Sequence, residues 1–177
     1  VNPYYPIALK MEGRLALVVG GGVVARRKVE SLIECGARVR VVAPEAEPAL
    51  AEMADAGGIE LRRRPYEPGD LEGAFIAIAA TDAPAVNTRV AADARARGVL
   101  VNSVDKPEEC DFIATAVVRR GDLLISIFTG GSSPALSKRI REQVEALIGP
   151  EYGDLVALLG KLRPEVMAAR ATERERT

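Results

Sequence analysis

The chain of 177 residues contains no histidine. That removes the commonest general base, the commonest metal ligand, and every Ser-His or Cys-His nucleophile arrangement. Proton chemistry must rest on Asp, Glu, Lys, Tyr or water, zinc hydrolase mechanisms are set aside, and no metal ligand set is expected. Cysteine is scarce: Cys35 and Cys110 stand far apart and outside any CxxC spacing, so a reduced, cytoplasmic setting is expected. Excess charge is absent too. A formal net charge of −1 argues against nucleic acid as the main partner, because phosphate binding wants a clear basic excess. No apolar run approaches the ~20 residues of a membrane span, so no membrane partner is expected. The opening VNPYYPIALKMEG lacks the basic-then-apolar pattern of a signal peptide.

What is present is a glycine turn in a telling context. Leu15 to Val19 reads as a short apolar strand, Gly20, Gly21 and Gly22 follow, and a helix pattern runs from Val23 to Cys35 before Gly36. Gly20 to Ala25 fits the G-x-G-x-x-G/A dinucleotide fingerprint, with a strand before and a helix after. The first glycine permits the tight turn, the second lets a pyrophosphate approach the backbone, and Ala25 lets helix and strand pack closely. The start of that helix offers open N–H groups and a positive dipole end to phosphate. A second strand, Arg38 to Ala43, ends in Pro44-Glu45 with no acid at its tip for a ribose hydroxyl. Glu45 can reach from the loop, and no arginine sits beside it to favour a 2′-phosphate, which points to NAD rather than NADP.

The alternation continues. Tyr4 to Met11 suggests an extended segment laid on a sheet edge, with both tyrosines packed. Arg26, Arg27 and Lys28 early in the first helix are either a solvated face or a meeting point for phosphate or an acidic substrate. Pro48 to Asp55 is a short helix, and Ile59 to Tyr66 a third strand whose Arg62, Arg63 and Arg64 read as edge protection or as anion binding. Ala74 to Ala80 is continuously apolar, as a parallel strand covered on both faces must be. Thr81 and Asp82 stand at its carboxyl end, where open α/β sheets bind ligands. A helix from Pro84 stops before Gly98, and Val99 to Val104 delivers Asp105. The sum is a doubly wound, parallel, Rossmann-type α/β sheet over residues 1–112.

Past residue 112 the period changes. Phe112 to Arg120 and Leu123 to Thr129 flank Gly121-Asp122 as a hairpin, and Ser133 caps an amphipathic helix from Ala135 to Ile148 with Pro134 at its first position. Residues 113–148 thus read as a small dimerisation segment, too small to bury a core without a second copy, so a homodimer is expected. In the helical region 149–177, Pro164 is expected to separate a helix over Tyr152 to Leu162 from a last turn or two.

Three strand-end features point to one crevice: the glycine turn, Thr81-Asp82 on the cofactor side, and Asn102-Ser103-Val104-Asp105, with Asn102 and Ser103 turned to the substrate. A second glycine-rich helix start, Gly130-Gly131-Ser132-Ser133-Pro134, joins them and reads equally as a cap or an anion cradle. Asp105 is a loop or cap aspartate, or the acid/base of a chain without histidine. The motifs VVGGGVVARRK, AIAATD with Asn87 beyond it, and VNSVDKPEECDFIATAVVRRGDLLISIFTGGSSPALSKRIRE resemble the precorrin-2 dehydrogenase family, the siroheme synthase N-terminal domain, over about residues 4 to 148. The resemblance implies NAD-dependent oxidation of the tetrapyrrole precorrin-2 to sirohydrochlorin, with ferrous iron insertion in some members, and an intertwined homodimer. By motif, Gly20 to Val24 and the Pro44-Glu45 backbone would hold NAD, and Asp105 matches the key aspartate. Ser133 matches a substrate-site serine that is phosphorylated in some relatives. Val23 departs from the pattern, since some members carry an acid there. Lys106, Arg119, Arg120, Lys138 and Arg139 are candidates for the substrate's carboxylates. A nucleotide-sensing module without turnover and a cofactor-free chelatase are the competing readings.

Overall fold

The computed structural model describes residues 3–104 and 106–169. By compactness the chain forms two units, one over Tyr5–Ala114 and one joining Tyr4 to the residues from Thr115 onward.

The first unit is the expected doubly wound sheet. Strands β1 (Leu15–Val19), β2 (Arg38–Val42), β3 (Glu60–Arg62), β4 (Ala74–Ala79) and β5 (Leu100–Ser103) all pair in parallel, in the order β3-β2-β1-β4-β5. Helix α1 (Val23–Glu34) and α2 (Pro48–Asp55) cover one face, and α3 (Pro84–Ala96) covers the other. The alternation of strand side chains explains the two layers. Ala16, Val18, Val39, Val41, Ile76 and Ile78 meet Ala25, Val29, Leu32 and Leu50 on one side. Leu17, Val19, Val42, Ala77, Ala79 and Val101 meet Val90, Ala91 and Ala94 on the other. With both faces covered, β1 and β4 have to be apolar throughout. Helix α1 stops where the sequence says it should. Gly36 takes φ +72° and donates to the Ile33 carbonyl (2.8 Å) while Ala37 donates to Leu32 (3.1 Å), the paired bonds of a Schellman end.

Two expectations for this unit are corrected. The lead-in makes no strand: Tyr5 and Ile7 are 84% and 63% exposed, and only Leu9 and Met11 reach the core. Pro3 and Pro6 supply no N–H for a ladder, which weakens any edge pairing. The third strand is three residues long rather than eight, because its arginines are drawn elsewhere. Arg62 reaches the buried Asp70 carboxylate at 2.6 Å, and Arg64 grips it with two bonds of 2.9 and 2.6 Å. The Glu67 N–H adds a fourth bond at 2.9 Å. Burial alone would push the Asp70 carboxyl up; the bonds from Arg64, Glu67 and Arg62 outweigh it and hold it at about 2. Arg62 and Arg64 therefore lock the β3–β4 connection, and neither edge protection nor anion binding describes them.

The second unit holds the antiparallel pair β6 (Ala116–Arg120) and β7 (Leu123–Ile127), α4 (Pro134–Leu147) and α5 (Glu151–Ala169). The hairpin turns at Gly121, φ +56°. Tyr4 packs edge-on against Phe128, with ring centroids 4.8 Å apart. Pro164 does not divide the C-terminal segment: α5 runs through it. The proline deprives the Gly160 carbonyl of its helical partner, a loss made tolerable by the exposure of Gly160 to solvent. Among the described residues of this unit, Val118 is the one apolar side chain that is buried, whereas Leu124, Leu136, Leu147, Leu155, Leu158 and Leu159 are exposed.

Candidate functional site

The carboxyl ends of the strands converge on the β1–α1 turn. Gly20 has φ +128°, and a Cβ there would run into the Ala80 carbonyl, so the residue has to be glycine. A Cβ on Gly21 would strike the Glu45 carbonyl; the glycine lets the β2–α2 loop, not only a ligand, come close. Glu47 donates its N–H to the Gly21 carbonyl at 2.8 Å and fixes that loop against the turn. Gly22 is different. Its φ of −86° suits any residue, and a Cβ there would meet nothing within 4 Å. Helix α1 begins at that open spot with no side-chain cap and no acid in its first turn, and Val23 and Val24 are exposed beside it. An open space before uncapped N–H groups is what a pyrophosphate requires. The turn fits a dinucleotide.

The loop between β2 and α2 is tied to α1 by a residue pair that the sequence does not reveal. Arg26, on α1, donates from Nε to Glu47 at 2.8 Å and from Nη1 to Glu30 at 2.8 Å. In sequence no arginine stands beside Pro44-Glu45; in space Arg26 reaches from α1 to Glu47, at the end of that loop. The signal was weak, since Arg26 and Glu47 are 21 residues apart. Pro44 and Glu45 are exposed, Arg27 is exposed, and Lys28 is half-buried, its ammonium pKa lowered by burial.

At the β4 end, the buried Asn87 closes the turn. Its Oδ1 accepts from the Thr81 N–H (3.1 Å) and hydroxyl (2.8 Å), and its Nδ2 donates to the Thr81 carbonyl (2.8 Å). Thr81 is thereby engaged in shaping the turn, and Asp82 is exposed at its tip. At the β5 end, Asn102 and Ser103 are buried and fasten the following loop. Asn102 Nδ2 donates to the Phe112 carbonyl at 2.9 Å, and Ser103 Oγ donates to Glu109 at 3.2 Å. Lys106 Nζ donates to Thr88 (2.8 Å) and Glu109 (3.0 Å), and Thr88 donates to Glu109 at 2.7 Å. The bonds from Thr88 and Lys106 hold the Glu109 carboxyl below its usual range. Asp105 lies outside the described residues; on either side of it, Val104 donates to the Ala79 carbonyl (2.9 Å) and Lys106 to that of Ser103 (3.4 Å). Among the described residues no cluster of His, Cys, Asp or Glu is placed to hold a metal ion.

In the second unit, Gly130 and Gly131 take φ of +67° and +81° before α4. Ser133 is its cap, accepting from the Leu136 N–H at 3.2 Å, while Ser132 is exposed. The Thr129 hydroxyl donates to the Ser133 carbonyl at 3.0 Å and steadies the turn. Arg120 is committed elsewhere, donating to the Ile148 and Glu145 carbonyls at 2.9 and 3.0 Å as a brace on the end of α4. Lys138 lies 3.9 Å from Glu142 on an exposed helix face. Two concave surfaces of the first unit, one lined by Leu71, Gly73 and Val99 and one by Arg38 and Gly58, lie at the amino ends of the strands, away from the glycine turn.

A five-stranded parallel sheet with an open, uncapped glycine turn at its central strand defines a dinucleotide-binding protein of the Rossmann class. The chain belongs to the NAD(P)-binding family whose model matches residues 7–116. It is 43% identical over 173 residues to the siroheme synthase of Azotobacter vinelandii, covering 98% of this chain and 37% of that protein. To the siroheme synthase of Pseudomonas entomophila it is 44% identical over 165 residues, 93% of this chain and 36% of that protein. The chain thus spans little more than a third of these curated relatives. Among solved structures, SirC, a precorrin-2 dehydrogenase, superposes with a TM-score of 0.78 at 28% identity, covering 98% of this chain and 85% of that one. Among the described residues, no helix is long and apolar enough to cross a membrane.

Proposed function

We propose that the chain dehydrogenates precorrin-2 to sirohydrochlorin with NAD as cofactor. The observation that carries this is the likeness to SirC over 98% of this chain, beside the open glycine turn at the end of β1. Gly20, Gly21, Gly22, Val23 and Val24 hold the dinucleotide through backbone N–H groups, and the Pro44-Glu45 loop serves its ribose. Thr81 and Asp82 shape the β4 side. NAD, when bound, supplies the hydride acceptor. The remaining proton is the protein's task. Asp105 takes or relays it, in a chain whose composition offers no imidazole. The buried Asn102 and Ser103 act by fastening the loop that carries Asp105, and the turn Gly130-Gly131-Ser132-Ser133 meets the substrate.

A homodimer in a reduced cytoplasmic setting is part of the same proposal. Among its described residues this unit has Val118 as the one buried apolar side chain and forms no core of its own, and its exposed leucines need a partner. Cys35 and Cys110 form no disulfide. The test is formation of NADH absorbance when purified chain, NAD and enzymatically generated precorrin-2 are mixed. Absence of NADH and of sirohydrochlorin, with NAD bound, would leave a binding module and end the dehydrogenase reading.

A further inference from the structure

The β2–α2 loop engages the kind of residue with which proteins of this class bind a 2′-phosphate, and holds it out of use. An arginine near the β2 tip is the usual receptor for that group in NADP. Arg26, near the start of α1, reaches Glu47 at the far end of the loop that follows β2. Its Nε is bonded to Glu47 at 2.8 Å and its Nη1 to Glu30 at 2.8 Å, with Arg26 and Glu47 each about a third exposed. Two carboxylates on one guanidinium leave the group net negative, and the exposed Glu45 adds a further charge in the same loop. Glu47 cannot drift away, since its N–H is tied to the Gly21 carbonyl at 2.8 Å. Nor is its carboxylate needed as a helix cap: α2 starts after Glu47 with no side-chain cap bond. The carboxylate is free to serve Arg26.

We propose that the Arg26–Glu47 pair is the element by which this chain selects NAD over NADP. Glu47 withholds the guanidinium from a 2′-phosphate and presents a negative charge to it. NAD, with a neutral ribose hydroxyl at that point, is not penalised. The inference rests on the reading of the glycine turn as an NAD site, and it goes further by naming what discriminates.

Calorimetric titration with NAD and with NADP tests it on the wild-type chain, Glu47→Gln, Arg26→Gln and the double variant, each first shown by its thermal transition to be folded. Wild type binds NAD and takes NADP at least about tenfold more weakly. Glu47→Gln, nearly isosteric, tightens NADP on the order of tenfold, the worth of one charge-assisted bond to phosphate, and leaves NAD within about twofold. The double variant loses that gain, because the receptor is gone. An unchanged NADP affinity in Glu47→Gln with NAD still bound overturns the proposal. So does an equal weakening of both dinucleotides, which would make the pair a simple brace, and so does a gain that survives without Arg26. If wild type binds neither dinucleotide, the NAD site itself falls and the inference falls with it.

Discussion

Gly22→Asp separates the binding role of the glycine turn from its structural role. Gly22 is the one member of the triplet whose missing side chain nothing in the protein demands: φ is −86°, and a Cβ would meet nothing within 4 Å. It is also the N-cap position of α1, which has no side-chain cap. Aspartate is among the preferred residues there and exceeds glycine by a few tenths of a kcal/mol, so the variant should fold and melt within about a degree of wild type. Dinucleotide binding should suffer. A carboxylate about 5 Å from one pyrophosphate charge, at an effective dielectric of about 20, costs about 3 kcal/mol, which is a hundredfold or more in Kd. Gly22→Asn caps equally well without the charge, so its loss should be at least about tenfold smaller. Calorimetry with NAD on both variants reads the difference. Full affinity in a folded Gly22→Asp chain would show that the pyrophosphate does not sit at this helix start.

Three other outcomes are expected. Asp105→Asn should keep NAD affinity while turnover drops by roughly 10²–10⁴-fold, and the acidic limb of the pH–rate profile should vanish with it; wild-type turnover would remove Asp105 from the mechanism. The ionised Asp70 carboxylate contributes stability that is complete above the unfolded pKa near 4 and lost as pH falls towards about 2. Urea titrations should therefore show Asp70→Asn less stable by about 2 kcal/mol at neutral pH, with a shallower decline in acid; parallel acid limbs would refute the clamp. In sedimentation at micromolar concentration the chain should run as a dimer, burying on the order of 2,000 Å², and a monomer would contradict the assembly.

The parts of the fold that could be read from the sequence are those governed by neighbours along the chain. The apolar run Leu15–Val19, the stop at Gly36, the proline-led starts of α2, α3 and α4, and the Ser133 cap all depend on residues a few positions apart. What escaped depends on residues brought together by folding. Ile59 to Tyr66 has strand composition, but Asp70 captures Arg62 and Arg64 and leaves a three-residue strand. Gly21 looked like a ligand's clearance and proves also to be the Glu45 carbonyl's. Asn102 looked like a residue turned to the substrate, whereas its amide is bonded to the Phe112 carbonyl. Arg26 read as a cation on a solvated helix face or as a meeting point for phosphate or an acidic substrate, and Glu47 has claimed it.

The fastening of the loop after β5 has a consequence for solubility. β5 is an outer strand, and an outer strand with bare N–H groups invites pairing with another chain. Here the outward groups are taken by side chains and backbone of the returning segment. Val101 donates to the Asp111 carboxylate at 3.0 Å, Asp111 returns a bond to the Val101 carbonyl at 2.8 Å, and the Ser103 N–H rests on the Cys110 sulfur at 3.2 Å. Residues 110 and 111 thus act as a false sixth strand made mostly of side-chain atoms. Alkylating the half-buried Cys110 thiol, whose pKa burial has raised, would strip the cover from Ser103. The first sign of that damage should be edge-to-edge aggregation, ahead of any loss of helix or of melting temperature.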